Sequence, residues 1–318
     1  MFNCLSEYDH VLLSERIDAD EKAIQDLQKQ VKDLEKRTKD HALNIINKQL
    51  AGITKGKIKE LKAEKFAADQ FGYVYVKASK RLVNSLQDIL QDVDPSTLLD
   101  LPRDQLIDVI LSGGFADSVE DFIEQQDKIL EAINASIKIV DPTWNMFLVD
   151  QEVEAIKTLT VQNVFDDIVV PTVQKNVRDA LLSIVVDTPI DQAMSNLAMS
   201  LERGAGTLQT EIRTKISQFG RSVNMIAADA VGIDQYLYTG PKDGITRPFC
   251  RALINKVVSK EQMDKLNNGQ GLSVQSSGGG YNCRHSWSPV TSAFVDAAGL
   301  NKATGSDISK ANSGAKKK

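Results

Sequence analysis

The residues best suited to chemistry are Cys250, Cys283 and His285, which all lie within residues 236–290. The whole chain of 318 residues has only three cysteines and three histidines, so this stretch holds an unusual share of them. Thiolate and imidazole groups are zinc ligands, and a thiolate beside an imidazole is also a nucleophile. The stretch therefore predicts a small α+β module that is closed by a metal-binding, reactive or buried cluster.

A metal site is the first interpretation of this cluster. Cys250, Cys283 and His285 would supply three ligands, and Asp243 could supply the fourth. Zinc accepts sulfur, nitrogen and oxygen donors in a tetrahedron at about 2.0–2.3 Å. Because Cys283 and His285 are two positions apart, both side chains reach one ion only if the backbone bends between them. Zinc is the one cofactor that the sequence suggests.

Two other interpretations remain open. In a structural one, Cys250 and Cys283 are small core side chains, Arg284 pairs with Asp243, and His285 hydrogen-bonds a backbone carbonyl. In an enzymatic one, Cys250 is a nucleophile that His285 activates and Asp243 orients. Substitution of Cys283 by Ser should destabilise the module under the metal and structural interpretations. Only the metal interpretation also predicts zinc in the purified protein.

Short elements frame the cluster. The alternation in Tyr236–Tyr238 predicts a strand, and the Gly-Pro pair that follows predicts a turn. A short helix should begin at Pro248, and Ser259 with Gln262 has the spacing of a capping box at the start of the next. The residues 281–290 should end in an extended segment.

Long helices are predicted upstream. Residues 15–50 have a coiled-coil period, with a and d positions at Ile17, Asp20, Ile24, Leu27, Val31, Leu34, Thr38, His41 and Ile45. Gly52 and Gly56 interrupt this pattern, and an apolar stripe resumes from Ile58 to Val93. The pattern predicts two helices joined near these glycines, either as a hairpin or as a bent rod. Such a narrow stripe needs a partner from the same chain or from another copy.

The chain as a whole is expected to be mainly α. We predict a helical arm with a coiled-coil-like pattern at 1–94, a helical domain at 95–204, the α+β module at 205–295 and a disordered tail at 296–318. Within the middle domain, residues 161–187 are rich in Val and Ile; a helix is favoured and two short strands are the alternative. On this division, deleting residues 1–94 should leave the C-terminal module folded.

Composition excludes several classes of protein. The net charge of −5 argues against a generally basic nucleic-acid-binding surface, although Lys316–Lys318 could touch DNA. No run of about 18 apolar residues predicts a membrane span, and the first ten residues do not have the pattern of a secretory signal. Three cysteines do not make a disulfide framework, so the protein is expected in a reducing cytoplasm.

The stretch 236–290 resembles the Mu F-like head morphogenesis family of tailed phages, also called minor head or minor capsid proteins. The order of several short motifs gives the resemblance: Tyr238-Thr239-Gly240-Pro241, Asp243, Thr246-Arg247-Pro248, Cys250-Arg251-Ala252-Leu253 and Gly280-Tyr281-Asn282-Cys283-Arg284-His285. The preceding helix from about Thr207 also lies where family members place a helix, so the resemblance covers about 85 residues. This chain departs from the family at Cys250, where many members have His. It also closes on Cys-Arg-His, where many members have Cys-Arg-Cys.

The resemblance implies a virion component that is associated with the portal or the capsid interior and is assembled in the host cytoplasm. The portal or the major capsid protein would be its partner, packaged DNA a further contact, and the helical arm a means of self-association. No catalytic residue comes with the resemblance, and the protein is not expected to be an enzyme. Two alternatives remain: a DNA-ejection protein, and an enzyme with a nuclease-like or toxin-like C-terminal module.

Overall fold

The protein is mainly α-helical, with a small mixed sheet in its C-terminal third, as the sequence predicts. A computed structural model describes residues 7–36, 41–100, 105, 108, 115 and 117–315. The lysines at 316–318 and most of residues 101–116 in the predicted helical domain fall outside these residues. None of the helices in the described ranges is long and apolar enough to cross a membrane.

The described elements lie in the following order along the chain. The helices up to residue 230 are α1 (Glu7–Lys36), α2 (His41–Ile89), α3 (Pro95–Leu99), α4 (Asp117–Val140), α5 (Asp150–Val164), α6 (Val170–Val185) and α7 (Ile190–Ala230). A 3-10 turn at Met146–Val149 precedes α5, and a π-helical turn at Phe165–Val169 joins α5 to α6. The C-terminal part contains β1 (Gln235–Thr239), α8 (Pro248–Leu253), β2 (Lys256–Ser259), α9 (Lys260–Asp264), α10 (Val274–Ser277), β3 (Ser286–Pro289), α11 (Ser292–Ala297), β4 (Asn301–Lys302) and α12 (Gly305–Ala315).

These elements form two compact units, and each unit draws on separated stretches of the chain. The first contains residues 1–13, 66–124 and 159–212, and the second contains 14–65, 125–158 and 213–318. The long helices α2 and α7 pass from one unit to the other. A linear division at residues 94 and 204 therefore does not describe the units that the chain forms.

The first unit has an aromatic core. Phe71 stacks on Tyr75 in α2, and Phe165 from the π-helical turn meets Phe71 and Phe122 edge-on with ring centroids 6.1 Å apart. Tyr75 contacts Phe115 in the same way. The Val- and Ile-rich stretch at 161–187 is helical up to Val185 and contains no strand, so the favoured interpretation is confirmed.

Glycine does not end the long helices where the sequence predicts a break. Helix α2 continues through Gly52 and Gly56, and α7 continues through Gly204 and Gly206. A Cβ at Gly52 would lie 2.5 Å from the Cδ1 atom of Ile139, and one at Gly56 would collide with Ser136. The first two glycines therefore allow α4 to approach α2 closely, and the predicted join at 52–56 is wrong.

The arm helices find partners within the chain. Leu27 and Val31 of α1 are buried together with Ala51, Ile58 and Leu61 of α2. Lys55 of α2 also pairs with Glu35 of α1 at 2.5 Å. The apolar stripe of α1 is therefore covered by α2 over this length.

The sheet of the second unit has the strand order β3-β1-β2-β4. The strand β1 pairs antiparallel with both β2 and β3, while β2 pairs parallel with β4. The capping box at Ser259 and Gln262 forms as predicted. The predicted helix begins at Pro248 and ends at Leu253, and β2 follows from Lys256, with Val257 and Val258 buried in the sheet.

The prediction of a disordered tail is wrong for residues 296–315. The helix α12 is capped by hydrogen bonds between Thr304 and Asp307, and it buries Ile308 and Ala311. Gly314 lies against the start of α8, where an added Cβ would be 2.9 Å from Pro248 Cβ. A few small apolar residues suffice here because α12 packs on a preformed surface, whereas the prediction relied on average composition.

Candidate functional site

The sheet and the loop before β3 bring the sequence-predicted donors together. Tyr238 lies on β1, Cys250 on α8, and Cys283 and His285 in the segment that leads into β3. All four side chains are buried; the two cysteines are 2% and 3% exposed. Ligand atoms of the two cysteines and the histidine lie within 4.8 Å of one another. Three of the four predicted metal ligands therefore meet in space.

Tyr238 is a member of this cluster that sequence reasoning missed. Its hydroxyl is 3.4 Å from Cys250 Sγ and 3.5 Å from Cys283 Sγ. The two sulfur atoms are 3.9 Å apart, and Cys283 Sγ is 3.7 Å from His285 Nδ1. The alternation in β1 gave a signal that Tyr238 would be buried, but it gave no signal that its hydroxyl would point at the thiols.

A tight turn supplies the backbone bend that the spacing of Cys283 and His285 requires. The amide of Cys283 donates to the carbonyl of Gly280 at 3.1 Å, and both Gly280 and Asn282 have positive φ, at +98° and +54°. Gly279 lies against the cluster, and an added Cβ would collide with Cys250 Sγ. The Gly279 amide also donates to Cys283 Sγ at 3.2 Å. The glycine-rich loop therefore packs directly against the two cysteine side chains.

The histidine ring is held from its far side. His285 Nε2 lies 2.9 Å from the carbonyl oxygen of Pro241, which can only accept a hydrogen bond. Nε2 therefore carries a proton, and Nδ1 faces Cys283 Sγ at 3.7 Å. The ring also stacks on Tyr238, with centroids 5.2 Å apart and planes 13° from parallel.

Arg221 of α7 places a buried charge beside the cluster. Its guanidinium is 1% exposed and donates to the carbonyls of His285, Ser276 and Cys283. Within the described part of the chain, no carboxylate pairs with it. Three carbonyls satisfy its donors, but they leave its positive charge uncompensated close to the thiols.

The two thiols differ in acidity. A hydrogen bond from Cys250 lowers the pKa of Cys283 most, and the hydrogen bond to His285 and the charge of Arg221 lower it further. Together they hold this pKa well below its usual value, although burial raises it. The same bond to Cys283, together with burial, raises the pKa of Cys250 well above its usual value. Burial, and then the neighbouring thiols, raise the pKa of Tyr238. These opposite shifts favour loss of the Cys283 proton before that of Cys250.

Asp243 does not complete the donor set, so this part of the metal prediction is wrong. Its Oδ1 atom accepts hydrogen bonds from Arg284 at 2.8 Å, from Thr246 at 2.9 Å and from the Ile245 amide at 3.2 Å. Burial raises its pKa, but the hydrogen bond and charge of Arg284, helped by the other two bonds, outweigh burial and leave the pKa below its usual value. One carboxylate oxygen, Oδ1, is thus engaged by Arg284, while Oδ2 is buried without a hydrogen-bond partner.

The contacts expected under the structural interpretation are all present. Both cysteines are buried, Arg284 pairs with Asp243, and His285 bonds a backbone carbonyl. Arg247 also holds the glycine-rich loop in place, because it donates hydrogen bonds to the carbonyls of Gly279 and Tyr281. These contacts fix the positions of the motif residues relative to one another. They are also compatible with a metal ion bound among the four buried donors.

The arm helix α2 contributes to this unit from more than 200 positions away. Lys57 is 2% exposed and donates to Glu60 at 3.2 Å, to Glu64 at 3.3 Å and to Ser286 of β3 at 2.6 Å. Ser217 of α7 donates to Glu64 at 2.7 Å. Deletion of residues 1–94 would remove the partners of these buried groups, which argues against independent folding of the C-terminal module.

A second group of ion pairs joins α1 to Arg213 of α7 and to Arg284 in the loop before β3. Asp20 is 2.8 Å from Arg213 and 3.8 Å from Arg284, and Arg284 in turn bonds Asp243. Burial raises the pKa of Asp20, although the two arginines oppose the effect. Asp20 occupies a predicted a/d position of the coiled-coil pattern, where an apolar residue is usual. Its ion pairs with Arg213 and Arg284 explain why this position is charged.

Comparisons with protein-family models, with curated proteins and with solved structures find no match to this chain.

Proposed function

We propose that the chain is a minor head protein of a tailed phage, a structural virion component that acts in head morphogenesis. The observation that carries the proposal is the convergence of the residues on which the resemblance rests. Cys250 contacts Cys283, Asp243 bonds Arg284 and Thr246, and Arg247 reaches the loop before Cys283. Motifs that are separated in sequence thus form one contact network, which supports treating them as one inherited unit.

The proposed partner is the portal or the major capsid protein, in the capsid interior. Self-association through the arm is supported less well, because Leu27 and Val31 of α1 already pack against α2 of the same chain. Contact with packaged DNA remains a prediction for residues 316–318, which lie outside the described part of the chain.

The enzyme alternative has less support from the geometry than the structural one. A nucleophilic thiol must be reached by its substrate, but Cys250 and Cys283 are 2% and 3% exposed and Gly279 lies directly over them. Asp243, which was expected to orient the histidine, bonds Arg284 instead. We therefore propose a structural role for the cluster rather than a nuclease-like or toxin-like one.

Quantitative mass spectrometry of purified phage particles tests the proposal, with DNA-filled heads compared with heads that have released their DNA. Recovery of the chain from filled heads at low copy number supports a minor head protein. Retention after DNA release indicates a structural anchor, whereas loss with the DNA favours the ejection alternative. Absence from both kinds of particle would overturn the proposal.

A further inference from the structure

We propose that Tyr238, Cys250, Cys283 and His285 bind one zinc ion, with the phenol oxygen of Tyr238 as the fourth ligand in the place that the sequence suggested for Asp243. The inference does not depend on the proposed function, because it rests only on the chemistry and positions of these four side chains. The ion would hold β1, α8 and the loop before β3 together.

Four of the six distances between the donor atoms are close to those of a zinc tetrahedron. Ligands at about 2.0–2.3 Å from a tetrahedral ion lie about 3.3–3.8 Å from one another. The Tyr238 oxygen lies 3.4 and 3.5 Å from the two sulfur atoms, Cys283 Sγ lies 3.7 Å from His285 Nδ1, and the sulfur atoms are 3.9 Å apart. The remaining sulfur–nitrogen pair, Cys250 to His285, falls within 4.8 Å. Small side-chain adjustments would complete the tetrahedron.

The surroundings of the donors match those of metal ligands. A ligating histidine usually donates its other ring N–H to a carbonyl or carboxylate, and His285 donates Nε2–H to Pro241 at 2.9 Å. The amide of Gly279 donates to Cys283 Sγ at 3.2 Å, as expected at a thiolate. Both contacts come from backbone groups and hold the Nδ1 lone pair and the sulfur in place.

The charge of Arg221 favours an anionic site beside it. Two thiolates neutralise a zinc ion, and a phenolate as fourth ligand leaves the site with one negative charge. Arg221 is 1% exposed and contacts the carbonyls of Cys283 and His285, so its positive charge balances that excess. On binding, the protons of the thiols and the phenol pass to solvent.

Hydrogen bonding is the alternative explanation, in which the Tyr238 hydroxyl donates to one sulfur atom and accepts from the S–H group of the other. The Tyr238 hydroxyl has one proton, and it lies at almost equal distances from two sulfur atoms. The nearest protein charge to Arg221 would then be a single thiolate, buried with it. A zinc ion accounts for the equal distances, the lone-pair direction of His285 and the buried guanidinium together.

The test uses the full chain, purified without chelators and without a histidine tag. Metal content is measured by mass spectrometry, and the metal-free protein is titrated with Co²⁺, whose visible bands report tetrahedral thiolate coordination. We expect one zinc per chain and strong cobalt bands. A folded protein, judged by circular dichroism, that contains no zinc and develops no cobalt bands would overturn the proposal.

Two conservative variants distinguish the fourth ligand. Tyr238→Phe keeps the ring packing against His285 and Trp287 and removes only the oxygen, so it should fold and bind zinc at least about ten-fold more weakly. Asp243→Asn should bind zinc as the natural chain does. The opposite pattern, or equal affinity in Tyr238→Phe and the natural chain, would overturn the assignment of Tyr238.

Discussion

Lys57 and Ser286 are 229 positions apart in the chain, yet Lys57 Nζ donates a hydrogen bond to Ser286 Oγ across 2.6 Å. Ser286 in turn donates to Glu60 at 2.9 Å. The helix α2 therefore supplies one cation and two carboxylates, Glu60 and Glu64, to a site that borders β3. The residue next to Ser286 is His285 of the buried cluster, so this contact connects the arm to the proposed metal site.

Replacement of Lys57 by Met should destabilise the protein strongly. The change keeps the length of the side chain but leaves Glu60 and Glu64 buried beside each other without a cation. Removal of one partner of a buried ion pair costs about 3–5 kcal/mol in the free energy of unfolding. Urea denaturation at pH 7 measures the loss. The matched variant Lys59→Met lies two positions away on the exposed face of α2 and should change stability by less than about 0.5 kcal/mol. Equal effects of the two variants would contradict the role assigned to Lys57.

The Asp243–Arg284 pair predicts a loss of stability in acid. Because the folded-state pKa of Asp243 lies below its value in the unfolded chain, about 3.9, the carboxylate stabilises the folded state above that pH. This stabilisation is lost as the pH falls through the lower, folded-state pKa. Asp243→Asn should therefore be less stable than the natural chain at pH 6, and the difference should shrink towards pH 2.

Urea midpoints measured between pH 2 and pH 6 check this dependence. Asp234→Asn serves as the control, since Asp234 is exposed at the start of the same sheet. A constant difference between Asp243→Asn and the natural chain across this range would show that the charge of Asp243 is not what stabilises the motif.

Two glycines in long helices should respond oppositely to alanine. Gly206 has no heavy atom within 4 Å of an added Cβ, so Gly206→Ala should stabilise the protein by about 0.5–1 kcal/mol through helix propensity. At Gly56 an added Cβ meets Ser136, so Gly56→Ala should destabilise the protein despite the same gain in propensity. Thermal denaturation compares the two variants. Adding Ser136→Gly should restore part of the stability of Gly56→Ala; no recovery would argue against close packing of α2 on α4.

The helix α12 should protect the buried thiols from modification. Ile308 is 7% exposed and belongs to the same core cluster as Phe249 and Cys250. Ile308→Ala should lower the free energy of unfolding by about 2–4 kcal/mol, because it leaves a cavity beneath the helix. Alkylation by iodoacetamide, followed by mass spectrometry, should then label Cys250 faster than in the natural chain. Lys310→Ala, on the exposed side of α12, is the control.

Local patterns in the sequence predict the elements well and the tertiary contacts poorly. The apolar stripe of α2, the capping box at Ser259 and the strand at Tyr236–Tyr238 each depend on neighbours in the chain, and all form. Gly56 was misjudged because its conformational cost is offset by packing against a helix 80 positions away, which no local pattern contains.

The candidate site was predicted only in part, because its tertiary contacts also lie outside any local pattern. Cysteine and histidine are rare enough in this chain that Cys250, Cys283 and His285 stood out by type alone. Asp243 was chosen because it is close in sequence and carries a carboxylate, but Arg284 competes for it. Tyr238 and Arg221 have side chains that are common in protein cores, so only their positions in the fold reveal that they face the thiols.

The discontinuous make-up of the second unit has a consequence for synthesis on the ribosome. Lys57, Arg221 and Ile308 must all be present before their shared unit is complete, so it cannot close until residues near 315 have emerged. Until then, the carboxylates of α2 and the thiols of the motif remain open to solvent. Contacts over such long sequence separations also make folding slow. The nascent chain therefore passes through a period in which a metal ion can reach the cluster freely, and completion of α12 ends that period.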